Sequence, residues 1–205
     1  SALRQLPPQA DLPRGFLSAD ELRQKVEEDF FKDYSPADAA DDVRALHLFG
    51  LLPADFELYQ FYVDLYHEQI AGYYDPETKE MYVVQDEVFD GPERMTYAHE
   101  YTHVLQDQNY DMRNGLKYNP DDCETQTEYC AAVSALIEGD ATLAEQNWFL
   151  KHSTLRDKKE VQEFYSSYSS PILDSAPAYI SEDMMFPYLK GLEFVQTFYQ
   201  DGGWS

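Results

Sequence analysis

Apolar positions recur at helical spacing along most of the chain, and one short stretch breaks that rhythm. Residues 1–15 hold Pro7, Pro8 and Pro13 and read as a loose or surface-bound arm. Ser18-Ala19-Asp20-Glu21 is a capping box that opens a helix running to about Lys32. Ser35-Pro36 opens a second helix, which Gly50 ends, and a third, rich in Tyr and Phe, runs from about Pro53 to Gln69. The period then drops to two. Residues 71–75 and 80–84 flank Pro76-Glu77-Thr78-Lys79, which predicts a β-hairpin. Gly91-Pro92 opens a helix reaching about Tyr110, and a loop over residues 111–122 leads to a long helix over about 124–151. Pro171 and Pro177 interrupt the following stretch, and a last amphipathic helix spans about Pro187 to Gln200. The predicted class is α+β, mostly helical with a small sheet or hairpin above the helix that follows it. Residues 1–52 read as an N-terminal helical segment packing on a main unit formed by residues 53–205.

Composition narrows the partners. Of 205 residues, 43% are hydrophobic and 15% aromatic, enough for one domain with a true core. The charge is lopsided, with 39 acidic against 15 basic residues and a net of −24. Such a field repels phosphate backbones and anionic lipid, so neither nucleic acid nor a membrane surface is an expected partner; cations and basic peptides are attracted. No run of 18 apolar residues predicts a transmembrane helix. Ser1-Ala2-Leu3-Arg4 lacks the basic start and apolar core of a signal peptide, and Gly202-Gly203-Trp204-Ser205 after a helix reads as a trimmed end. Cys123 and Cys130, seven apart, would be about 10 Å apart on one continuous helix, so a disulfide requires Cys123 to lie outside it. The compartment stays open on these grounds.

Candidate chemistry gathers in His99-Glu100-Tyr101-Thr102-His103. Two His four apart project from one helical face and reach a single ion, while Glu100 stands about 100° round the helix beside them. HExxH on a helix is the arrangement of zinc hydrolases, the Glu serving as general base toward water. Ala98, Tyr101 and Leu105 lie on the side away from the His pair, which leaves the imidazoles facing a cleft. A hydrolytic zinc takes three protein ligands and keeps one open position. The extended pattern HExxHxxGxxH is absent, since Gln106 and Asn109 stand where Gly and His belong. The third ligand is therefore sought on the 124–151 helix, where Glu138 lies among Ala131, Ser134, Ala135, Gly139, Ala141 and Thr142. Small neighbours permit close helix approach, and a carboxylate in an apolar stretch needs a cation. Glu124 and Glu128 are rivals on roughly the same face, and Asp140, on another side, is placed to orient a ligand His. Asp107 lies near the His face, either orienting a ligand or tying a loop, and His47 and His67 read as ordinary helix residues.

The stretch His99 to Asp107 resembles the active-site helix of thermolysin-like peptidases, and HExxH with a downstream Glu resembles the gluzincin group of zinc metallopeptidases. More narrowly, Gly72-Tyr73-Tyr74-Asp75-Pro76, the HEYTHVLQDQ run, Glu138-Gly139-Asp140-Ala141 and the segment from Pro187-Tyr188 to Phe194-Val195 resemble a group of poorly characterised bacterial metallopeptidases, over about residues 55–204. The resemblance implies one zinc ion on His99, His103 and Glu138, Glu100 as base, and a peptide or protein substrate paired along a sheet edge near the hairpin. An exported location is the favoured one. Thermolysin-like enzymes carry an Asp four residues after the ligand Glu, where this chain has Thr142, and gluzincins use a downstream Tyr or His to stabilise the oxyanion. Tyr188 is the choice for that role, with His152, Tyr165, Tyr168 and Tyr179 as competitors. Two other readings stay open: a non-catalytic binding module stabilised by zinc, and a zinc amidohydrolase acting on a non-peptide amide, with Cys123 or Cys130 as ligand.

Overall fold

The computed structural model describes residues 2–32, 34–84 and 88–204; Ser1 and Ser205, at the two ends read above, lie outside them. The chain runs β1 (Arg14–Leu17), α1 (Ala19–Phe30), α2 (Pro36–Leu48), α3 (Leu58–Gln69), β2 (Gly72–Asp75), β3 (Glu80–Val84), α4 (Gly91–Tyr110), α5 (Pro120–Thr125), α6 (Thr127–His152), α7 (Leu155–Ser167), α8 (Pro171–Asp174) and α9 (Ala178–Gly202). It is mostly helical with a three-stranded sheet, an α+β fold as the patterning predicts. Helices begin where short polar side chains stand ready to bind orphan N–H groups. Capping boxes at Ser18 with Glu21, Ser35 with Asp38, and Asp90 with Glu93 open α1, α2 and α4. Gly50, at φ +73, turns the chain out of α2 through a conformation that costs other residues strain.

Several boundaries differ from the sequence reading. The proline-rich arm is no loose appendage: Leu6 is buried, and Arg14 to Leu17 pair in parallel with Met81 to Val84 of β3. The three prolines mask a strand that starts directly after the last of them, where the missing N–H costs no ladder bond. Helix α3 starts at Leu58, later than Pro53 suggests, because residues 54–55 turn first. The predicted 124–151 helix is two helices, separated at Gln126 by a non-helical φ −127, ψ 50. That break swings Cys123 to a Cα distance of 5.5 Å from Cys130, and the two form a disulfide. The stretch after Ser153 carries α7 as well as the short α8. Helix α9 begins at Ala178, nine residues before the expected Pro187 start, and Pro187 sits inside it. An interior proline deletes one helical hydrogen bond, and packing against α6 holds the helix together across that gap.

Helix α6 is the centre of the molecule, with α4 and α9 both packed on it. Where α6 meets α9, a Cβ on Gly191 would overlap the Ala135 carbonyl, and one on Gly139 would overlap Gly191 itself. Part of the small-residue stripe therefore serves the α9 crossing. In the sheet, order β1-β3-β2, one face packs on α4 through Tyr74, Met81, Val83 and Val104. The other face packs on α1 through Tyr73 and Leu22. Strand β2 is an edge that runs beside α4. A third cluster of Ala39, Val43, Leu52, Leu58, Leu65 and Ile180 joins α2, α3 and the start of α9.

Candidate metal centre

The His pair projects from the middle of α4 with ring centroids 4.8 Å apart. Across the α4–α6 contact, Glu138 Oε2 lies 3.1 Å from His99 Nε2 and 3.4 Å from His103 Nε2. Each ring is held from behind at its other nitrogen. His99 Nδ1 lies 3.2 Å from Glu145 Oε2, and His103 Nδ1 lies 2.9 Å from Gln106 Oε1. Gln106 is itself fixed, its amide nitrogen donating to the Ile137 carbonyl at 3.0 Å and to Asp140 Oδ2 at 2.7 Å. Arg4 Nε completes the chain by donating to Asp140 Oδ1 at 2.6 Å.

This pattern settles how the imidazoles present themselves. An acceptor opposite Nδ1 requires that nitrogen to carry the hydrogen, so a neutral ring turns the Nε2 lone pair toward Glu138. Two lone pairs and a carboxylate then face one another, an arrangement that a cation would stabilise. Without a metal, protons play that part. Burial alone lowers the His99 pKa, but its hydrogen bonds to Glu138 and Glu145 outweigh burial and raise it well above the ordinary value. His103 is raised likewise, burial being outweighed by Glu138. Burial would raise Glu138, yet the His103 and His99 rings hold it far below the usual carboxylate range. The donor set of two nitrogens and one carboxylate, with both Nδ1 positions engaged, fits a divalent zinc-type ion. His99, Glu100 and His103 also offer ligand atoms within 4.8 Å of one another, so Glu100 stands beside the same point. Of the two carboxylates, Glu138 would be the better placed third ligand, since one of its oxygens faces both Nε2 atoms.

Glu100 is buried, and its carboxylate has no hydrogen-bond partner among the described residues. Burial raises its pKa, opposed by His103 and His99 and assisted by Glu138 and Glu145. A carboxyl so tuned suits proton transfer better than structural pairing. Edge strand β2 passes over it: a Cβ at Gly72 would come 3.3 Å from Glu100 Cγ and 2.9 Å from Thr96 Cγ2. Tyr188 lies mid-way along α9 with its ring 6.3 Å from that of His99. Its pKa is raised well above the ordinary value, first by burial and then by Glu138 and Glu100, although the residue as a whole is 39% exposed.

The remaining candidates separate. Glu124 and Glu128 are exposed on the surface. Asp140 reaches His103 only through Gln106, and Asp107 ties the fold, accepting from Tyr74 Oη, Lys79 Nζ and the Met112 N–H. His152 is exposed and Tyr168 donates to Gln69, while Tyr165 stays within reach of the site, its pKa raised by burial and then by Glu145. Tyr179 lies in the first turn of α9, well before the Tyr188 position that meets His99. His47 faces the Leu52 carbonyl and His67 faces Glu27, both away from the site. Both cysteines are in the disulfide, so neither offers a thiolate. Sequence reasoning missed Glu145 and the use of Gln106. Thr142, where the resemblance expects an Asp, has a buried hydroxyl with no partner among the described residues, and Glu145 one turn on takes the His99 Nδ1. A cavity of about 510 Å³ lies behind Gln106 and Asp140, with Leu136, Phe194 and Trp204 in its walls, and none of the candidate ligands lines it. No protein family, no characterised protein and no solved structure matches the chain.

Proposed function

We propose that the chain is a zinc-dependent peptidase of gluzincin type, with His99, His103 and Glu138 as ligands and Glu100 as general base. The observation that carries this reading is the convergence of both Nε2 atoms on Glu138 Oε2 while both Nδ1 atoms are already engaged. A bound zinc would polarise the scissile carbonyl and acidify water. Glu100 takes the proton from the attacking water and delivers it to the leaving amine, a task that its raised pKa eases. The Tyr188 hydroxyl, kept protonated, donates to the oxygen on which negative charge develops. Strand β2, a terminal strand of the sheet close to Glu100, would offer main-chain groups to an extended peptide, a means of holding substrates of varied sequence.

A buried base without a partner has no use in a purely structural site, which favours catalysis over a zinc-stabilised binding module. The test pairs zinc content with turnover. Glu100→Gln is expected to bind one zinc per chain and to cleave a peptide library at least about 100-fold more slowly than the parent. His99→Ala is expected to lose the metal. Undiminished cleavage by Glu100→Gln would end the assignment of the base. One firmly bound zinc with no cleavage of any peptide would favour the binding module.

A further inference from the structure

A second cavity, about 340 Å³, opens between the end of α1, α2, α3 and the first turns of α9. Its walls are the rings of Phe31, Tyr34, Tyr62 and Tyr66 and the carboxylates of Asp42 and Asp183. The rings meet edge to face, Phe31 with Tyr66 at 5.8 Å and Tyr34 with Tyr62 at 6.2 Å, so they form the sides of a box rather than a stack. Among the described residues no Lys, Arg or His lines it. Asp42 accepts the Tyr34 hydroxyl at 2.7 Å, and Asp183 has no partner among the described residues. Burial and then the Asp183 carboxylate push the Tyr62 hydroxyl up to about 12, so it stays a neutral donor and ring. Negative ring faces and two carboxylates in one cavity attract a cation and repel an anion.

The cavity adjoins the proposed catalytic cleft. Tyr66 is one of its walls and also adds to the upward push on the Tyr188 hydroxyl, after burial, Glu138 and Glu100. Met184 lines the cavity, and Tyr188 follows it one helical turn along α9, about 6 Å on. The Tyr188 ring is then 6.3 Å from that of His99. An extended peptide advances about 3.3 Å per residue, so the cavity lies roughly two to four residues from the bond being cut.

We infer that this box is a specificity subsite that receives the cationic side chain of an Arg or Lys in the peptide substrate. The inference rests on the peptidase reading and gives it a substrate class. The acidic net charge of −24 assists the approach of such peptides, while Asp183 and the rings select the side chain.

The test uses neutral peptides in which a single Arg, or its uncharged isostere citrulline, is moved along the sequence. Cleavage by the zinc-loaded chain is followed by mass spectrometry, and binding to zinc-loaded Glu100→Gln by calorimetry. Arg is expected to beat citrulline by about tenfold in kcat/KM and in affinity at one fixed distance from the cleaved bond. In Asp183→Asn the ratio should fall toward one. Asp183 is exposed, so its exchange leaves the core intact. Salt gives the same answer without mutation, the ratio in the parent protein shrinking between 0.05 and 0.5 M NaCl by roughly the extent expected for a partly exposed ion pair. Cleavage without preference for Arg would overturn the subsite and leave the peptidase standing. Arg-dependent binding that needs Asp183, with no peptide cut, would support the box and overturn the peptidase reading alone. Neither binding nor cleavage of any peptide would overturn both.

Discussion

Gly139 of α6 and Gly191 of α9 touch backbone to backbone, so that a methyl group on either would overlap main-chain atoms of the other helix or of Ala135. The crossing stands one residue from the candidate ligand Glu138 and three residues from Tyr188. Two helices that meet through glycine approach closer than any larger pair allows, and the short gap is what brings Tyr188 over His99.

Gly191→Ala pits two effects against each other. Alanine favours a helix over glycine by about 1 kcal/mol. Forcing a methyl against backbone, which has no rotamer to yield, costs about 1–3 kcal/mol, and the clash should win. The expected result is a lower urea midpoint with an unchanged slope. A midpoint equal to or above that of the parent would show that the helices can slide apart freely.

Glu145 and Gln106 hold the outer nitrogens of the two candidate ligand rings, and their value should appear in metal affinity. Glu145→Ala and Gln106→Leu are each expected to weaken zinc binding by about 10–100-fold, measured by competition with a chromogenic chelator. Because Gln106→Leu leaves the Ile137 carbonyl and one Asp140 oxygen without that amide donor, urea midpoints measured alongside separate lost affinity from lost fold. Unaltered affinity in both variants would mean that the α4 backbone alone orients the rings.

What could be read in advance follows from how local each signal is. The α4 helix is legible because Gly91 and Pro92 start it and the His spacing has meaning only on a helix, while the Asp90 cap shows in the structure. Glu138 was legible through its small neighbours, though the close approach they permit at Ala135 and Gly139 is to α9. Glu145 was not, although it lies seven residues after Glu138 and hence two turns along the same face; the expected spacing was four. Gln106 departs from one family pattern, and nothing local marks its role, because its hydrogen bonds to Ile137 and Asp140 come from tertiary packing. The break at Gln126 carries no Gly or Pro, so nothing local marks it, and the disulfide depends on that break. Strand β1 hides behind prolines, and its pairing is with a segment more than sixty residues on. Pro187 misled in the opposite sense, reading as a helix start when tertiary contact carries α9 through it.

Asp157 links the start of α7 to the helix that bears the site. It accepts from the Thr154 N–H and hydroxyl and from Arg94 Nη1 of α4 at 2.7 Å. Burial works to raise its pKa, but the Thr154 bonds and Arg94 outweigh it and hold the carboxyl below its ordinary value of 3.8. The native state thus prefers the charged form. Its contribution is complete above the unfolded value and is lost as pH falls through the lower, folded one. Asp157→Asn should therefore cost about 1–2 kcal/mol at neutral pH, the worth of a cap plus a partly exposed ion pair. The gap between variant and parent should close as the pH is taken below about 4. Denaturant unfolding at a series of pH values measures this, and a gap that stays constant down to the acid transition would refute the assignment.

Tyr188→Phe separates the two roles that the proposed reading joins in one side chain. The ring packs near His99 and lies against the cleft wall, and phenylalanine keeps that packing. The hydroxyl is what differs. If it donates to the developing oxyanion, its benefit exists in the transition state and hardly at all in the bound substrate, so its removal lowers kcat and leaves KM nearly unchanged. Loss of one such donor is expected to cost about 100- to 1,000-fold in kcat, with zinc content unaltered. A ring that only shapes the cleft would instead give a variant with near-normal kcat. A rise in KM at constant kcat would move Tyr188 from the chemistry to substrate binding, and the donor would then have to be found among the other phenols near the site. Tyr118 is the foremost of these, since burial raises its pKa, its hydrogen bond to Ser134 opposes that rise, and Glu138 adds to it. Measuring kcat and KM for both Tyr188→Phe and Tyr118→Phe assigns the donor to one position, because only the true one should lose kcat without losing affinity.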